Sequence, residues 1–135
     1  MEFRRKFGMF RGSWFLAGLS VLAMLGCGHP VQKKLEGRWV GEGVENFDDR
    51  QVAMATGWAR GTSFEFSGST VTVAVPAEEP RSGQYKVLQV HNNDVYVAVA
   101  RADGKSDKVH FKLDDEQSIR WMLGESRSVV LRREN

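Results

Sequence analysis

The sequence predicts an all-β fold. We read a single antiparallel eight-stranded up-and-down barrel, with one short helix after the first strand and a separate amino-terminal helix ahead of the domain. Three observations carry this. From Thr62 onward, apolar residues recur at every second position, the period of a half-buried strand. Turn signals interrupt that alternation roughly every ten residues. The later connections are far shorter than the dozen or so residues that a parallel crossover needs, so consecutive strands pair antiparallel. Eight such strands most naturally close on themselves, because closure removes both exposed edges. A two-sheet sandwich is the alternative.

The chain begins with a basic head, Arg4, Arg5, Lys6 and Arg11, followed by an uncharged run from Trp14 to Gly26. A positive region, a short apolar run and small residues at its end describe a signal-peptide helix. The run is short for a hydrocarbon core, which needs roughly 20 apolar residues. A transmembrane anchor or a buried helix is the alternative. Cys27, the only cysteine, follows directly and has no partner for an intramolecular disulfide.

Met24-Leu25-Gly26-Cys27 resembles the lipobox of bacterial lipoprotein precursors, whose usual form is Leu, a small residue, Gly or Ala, then Cys. Gly26 and Cys27 match, whereas Met24 and Leu25 depart from the commonest choices. The resemblance implies cleavage before Cys27, diacylglycerol on its sulfur and usually acylation of the new amino terminus, with fatty chains such as palmitate. Two or more chains anchor stably where one does not. Gly28 in place of Asp implies, by the enterobacterial rule, the outer membrane facing the periplasm. The expected division is a signal peptide over 1–26, a lipidated tether over 27–34 and a barrel domain over 35–135.

Removing residues 1–26 from the 135 leaves 109, enough for one domain. Four of the 19 basic residues and one of the 17 acidic ones lie in that segment, leaving 15 against 16. The net charge of +2 therefore becomes −1, and no basic stripe remains to argue for nucleic acid.

Residues 28–34 carry no apolar period and read as a tether. Leu35 to Val44 reads as the first strand, with Leu35, Gly37, Trp39, Gly41 and Gly43 on one face. Three glycines there predict strong curvature. Between Asn46 and Arg60 the period shifts: Phe47, Gln51, Met54 or Ala55, and Trp58 recur at helical spacing. Asn46 is the expected N-cap, and Phe47, Met54 and Trp58 are expected to hold the helix to the domain. An extended course from Ala55 is the alternative. Phe64 and Phe66 then share one face, and Val71, Val73 and Val75 another. Tyr85 and Val87 give way to Leu88 and Val90, a phase slip that predicts a bulge. Val95, Val97 and Val99 follow, then Val109, Phe111 and Leu113, then Ile119, Trp121 and Leu123, and finally Val129 and Leu131.

Gly37-Arg38-Trp39, opening a meander of eight strands, resembles the lipocalin-like (calycin) barrels. In that family a Gly-x-Trp motif opens the barrel, and an arginine near the last strand packs across the tryptophan and closes one end. The resemblance implies that role for Gly37, Trp39 and Arg133, with Arg127 on the same face. Phe64, Phe66, Tyr85, Phe111 and Trp121 are the expected interior lining. They either fill the barrel or border a ligand cavity, and both readings stay open.

Catalytic groupings are not visible. His29, His91 and His110 have no metal-ligand spacing and read as solvated. Asp103–Asp107 and Asp114-Asp115-Glu116 lack the spacing of a calcium loop. Glu65 reads as outward-facing. We expect no enzyme and no cofactor. The expected role is an envelope lipoprotein that binds a small apolar ligand or an envelope component. The alternative is a protein-interaction module, such as a periplasmic protease inhibitor with a packed barrel. The expected partners are a membrane, through acylated Cys27, and that ligand or protein; nucleic acid is not among them.

Overall fold

A computed structural model describes residues 29–135. The signal segment 1–26, Cys27 and Gly28 lie outside the described residues. The described chain forms a short helix α1 (Val31–Leu35), strand β1 (Gly37–Glu45) and helix α2 (Val52–Arg60). Seven strands follow: β2 (Ser63–Ser67), β3 (Thr70–Ala74), β4 (Arg81–His91), β5 (Asp94–Ala100), β6 (Ser106–Asp115), β7 (Ser118–Gly124) and β8 (Arg127–Glu134). Each strand pairs antiparallel with the next, and β8 returns to β1, so the sheet is a closed eight-stranded barrel. The sandwich alternative is excluded.

Alternation sets the core. Trp39, Phe64, Phe66, Val71, Tyr85, Val95, Val97, Phe111, Ile119, Val129 and Leu131 all point inward and are buried. Glu65, between two inward phenylalanines, is exposed. The slip in β4 is a bulge, with the register shifting between Val87 and Gln89 and Leu88 turned out. A second shift, between Gly41 and Gly43, bends β1 where it meets β8. That seam is crossed by ion pairs on the outer face: Arg38–Glu134 at 2.6 Å, Glu42–Arg132 at 2.9 Å and Glu45–Arg120 at 3.4 Å.

Three expectations are corrected. Residues 31–34 are not a free tether, and Leu35 does not begin the first strand. Val31 and Leu35 lie one helical turn apart and both are buried, so α1 plugs one end of the barrel. Asn46 does not cap α2. It adopts φ +64° and its amide donates to the Ser126 carbonyl at 2.6 Å. The Asp48 carbonyl instead receives the N–H groups of Gln51 and Val52, and the helix starts there. Finally, Met54 does not hold α2 to the barrel, and Trp58 does so only in part, against Trp121. Met54 is 82% exposed, and the buried contact is Ala59. Gly41 presents bare backbone beneath the Ala59 carbonyl, so the last turn of the helix is where it comes closest to β1.

Candidate functional site

The topology gives the barrel two unlike ends. One holds α1, the turns β2–β3, β4–β5 and β6–β7, and the end of β8. The other holds α2 and the connections β3–β4, β5–β6 and β7–β8.

At the first end, the Arg133 guanidinium lies 4.2 Å from the centre of the fully buried Trp39 ring. The indole N–H donates to the Leu35 carbonyl at 2.8 Å, so α1 and the tryptophan hold each other. Arg133 also donates to the carbonyls of Lys34 and Glu116, each at 2.9 Å, and to that of Glu36. It thereby satisfies carbonyls that the short helix leaves without partners. Gly37 adopts φ +116°, and a Cβ there would meet the Arg133 guanidinium at 2.8 Å. These groups seal the end.

Above this seal the aromatic residues meet. Phe64 stands edge-on to Phe111 and to Trp121, with both pairs of ring centres at 5.1 Å. Phe66 stands edge-on to Tyr85 at 5.1 Å. Such pairs contribute on the order of 1 kcal/mol each beyond area burial. The lower half of the barrel is thus packed, with one polar defect. The Tyr85 hydroxyl is buried without a hydrogen-bond partner. Burial, with the nearby Glu36 charge second, raises its pKa above the usual phenol range.

The other end is open. A cavity of about 980 Å³ lies in the mouth, near the top of the roughly 300–1,000 Å³ that ligand sites span. Its floor is Phe64 and Trp121, and its walls are Val73, Val75, Val99 and Val109. The charged rim carries Glu78, Glu79, Arg81, Arg101, Asp103, Asp107 and Lys108. Arg81 pairs with Glu78 at 3.0 Å, while Arg101 bridges Asp103 at 2.5 Å and Asp107 at 3.1 Å. The hydrogen bond from Arg101, and next the Lys105 N–H, hold the Asp103 carboxyl below its usual range. On the α2 side, Trp58 rests on Trp121 with ring centres 6.0 Å apart. The site is apolar below and polar above.

Of the residues singled out by sequence, Phe64 and Trp121 line this mouth, whereas Phe66, Tyr85 and Phe111 belong to the packed half below it. Gly37, Trp39 and Arg133 meet at the sealed end. Arg127 does not join them: it sits at the mouth end of β8, 5.4 Å from the Phe47 ring. Sequence reasoning did not single out the four wall valines, because inward valines at the end of a strand read like those at its middle. His110 is not simply solvated. It is half-buried on the outer face, stacked on Tyr96 at 4.3 Å, with Nε2 2.7 Å from Asp94 Oδ1. The register sets Asp94 two residues diagonal to His110 on that face, within reach of the ring. Among the described residues, no group of three or more His, Cys, Asp or Glu is placed to hold a metal ion.

A closed meander, sealed at one end and open at the other, defines a cup-shaped eight-stranded barrel. No family model matches the sequence, and no curated protein matches it. Two solved structures are similar. A lipocalin-like protein from Bacteroides uniformis aligns at 12% identity and TM-score 0.44, over 75% of this chain and 99% of that one. The octameric penicillin-binding protein homologue from Pyrococcus abyssi aligns at 13% identity and TM-score 0.42, over 76% of this chain. The alignment spans only 19% of the latter protein's length.

Proposed function

We propose that the protein is a binding protein of the bacterial cell envelope, acylated at Cys27, that takes a small apolar or amphipathic molecule into the barrel mouth. The observation that carries the binding half is the apolar floor of Phe64 and Trp121 beneath a charged rim. An apolar body would cover the floor and the valine walls, and a polar head would meet the rim. Full burial of one large apolar group contributes about 1.5–3 kcal/mol, which suits low-micromolar affinity when several groups enter. The anchoring half rests on the basic head, the apolar run and Gly26-Cys27. Gly28 after Cys27 supports, by the enterobacterial rule, a position at the outer membrane, facing the periplasm.

Trp58 and Trp121 flank the mouth and report on its occupancy. Titration with palmitic acid or a polarity-sensitive naphthalene sulfonate should give saturable tryptophan quenching. Val75→Glu puts a charge in the wall just outside β3, and should weaken binding about tenfold without unfolding the barrel. No saturable binding by either probe, and no molecule retained in native mass spectrometry, would defeat this reading. A partner protein is then the better occupant. One feature favours that second reading: Met54 and Trp58, one helical turn apart, leave an apolar patch of α2 exposed. Capture of an envelope protein that is lost in Met54→Glu would establish it.

A further inference from the structure

We propose that the α1 end of the barrel rests against the bilayer, so that the mouth opens away from the membrane that holds the protein. This rests on the reading of Cys27 as the acylated residue. The argument is one of reach. Val31 is 5% exposed and fixed in the core, so the leash ends there rather than at Leu35. Three residues lie between Cys27 and Val31, and the four residue steps span at most about 14 Å even when fully extended. The ten residues of β6 run from the mouth to the sealed end. At about 3.3 Å per residue and a typical tilt near 40°, they cover roughly 23 Å along the barrel axis. The leash is shorter than the barrel is tall. An inverted barrel, mouth down, would hold Val31 too far from the surface for the acyl chains to enter it.

The surface so presented is α1 with the turns at Ser67–Thr70, His91–Asp94 and Asp115–Ser118. Lys33 and Lys34 are exposed in the last turn of α1, where they would meet lipid phosphates, while Glu36 and Glu116 lie nearby. With Asp94 and Asp115 in the same turns, acidic groups outnumber these lysines, so it is the leash rather than attraction that sets the orientation. The consequence for function is specific. The occupant of the mouth is drawn from the aqueous compartment, and is not lifted out of the bilayer directly beneath the protein.

Full-length acylated protein in phosphatidylcholine–phosphatidylglycerol vesicles tests this. A fluorophore is placed at Ser69→Cys, in the β2–β3 turn, or at Ala102→Cys, in the β5–β6 connection, with a headgroup-labelled lipid as acceptor. We expect strong energy transfer from position 69 and several-fold weaker transfer from position 102. Inserting ten Gly/Ser residues between Gly28 and His29 should bring the two signals together. Equal transfer without the insertion, or stronger transfer from 102, would overturn the orientation while Cys27 remains the anchor. Intact mass separates the two claims. An unacylated Cys27 overturns the anchoring and the orientation with it.

Discussion

The Ala59 carbonyl oxygen lies over Gly41 so closely that a Cβ on residue 41 would sit 1.9 Å from it. The helix that borders the mouth is therefore seated on a single missing side chain. The Gly41 N–H donates to the Thr62 carbonyl at 2.9 Å, and the Thr62 hydroxyl donates to that of Trp58 at 3.1 Å. The contact fixes where α2 ends and where Trp58 meets Trp121.

Gly41→Ala should displace α2 and cost about 3 kcal/mol, since the clash is with backbone. Urea unfolding measures the loss, and a red shift in tryptophan emission reports the freed Trp58. Gly43→Ala, two residues on, meets nothing within 4 Å and should change stability by less than about 0.5 kcal/mol.

Arg133→Ala should cost about 2 kcal/mol, removing both the contact over Trp39 and the donors to the Lys34, Glu36 and Glu116 carbonyls. Arg133→Lys keeps the charge but loses the planar fork, and should recover less than half of that. Amide exchange at Val31–Leu35 should rise in both variants before exchange elsewhere does.

Tyr85→Phe should stabilise the barrel by about 1 kcal/mol, because the hydroxyl it removes is buried without a partner. The same substitution should change the alkaline limb. The folded pKa of Tyr85 is raised, by burial first and by Glu36 second, so its share of stability is intact below the ordinary phenol pKa near 10. That share is lost as pH climbs through the folded value. Thermal melts from pH 9 to 12 should fall less steeply in the variant.

The acid limb should have the opposite sign. Glu42 is held low by its hydrogen bond from Arg132, and Asp94 by its hydrogen bond from His110. Depressed carboxylates add stability above their unfolded pKa near 4, and lose it as pH falls through the folded values. Both groups face solvent, so the effect is small and weakens with salt. Melting temperature should hold steady from neutral pH to about 5 and then decline. Glu42→Gln should shallow that decline.

The strands were legible because one face of each is buried and the other wet. Val71/Val73/Val75 and Val95/Val97/Val99 carry that alternation directly, and the slip at Val87–Leu88 marked the bulge. The seal was half legible. Gly37 and Trp39 stand in a recognisable pattern, but α1 has only two buried residues, too few to set a helical period. Helix α2 was found by its period, yet its buried face was misjudged. Large side chains suggested Met54 and Trp58, whereas the close approach over Gly41 buries Ala59 and leaves Met54 in solvent. Of the mouth, only the floor residues Phe64 and Trp121 were legible, and its walls were not. Whether an inward valine touches a neighbour or borders a space depends on how far the opposite wall stands, and that distance is tertiary.

Barrel closure has a consequence for how the chain is made. Arg38 and Glu134 pair across the seam from positions 96 apart, so the first strand waits for the last. Contacts of such long sequence separation fold slowly, because the loop entropy is lost before the pairing repays it. A ribosome-bound chain lacking β8 leaves β1 and β7 as bare margins and cannot complete the cup. If the chain is exported as proposed, passage through a narrow pore demands an unfolded substrate, and late closure would keep it threadable until β8 is made.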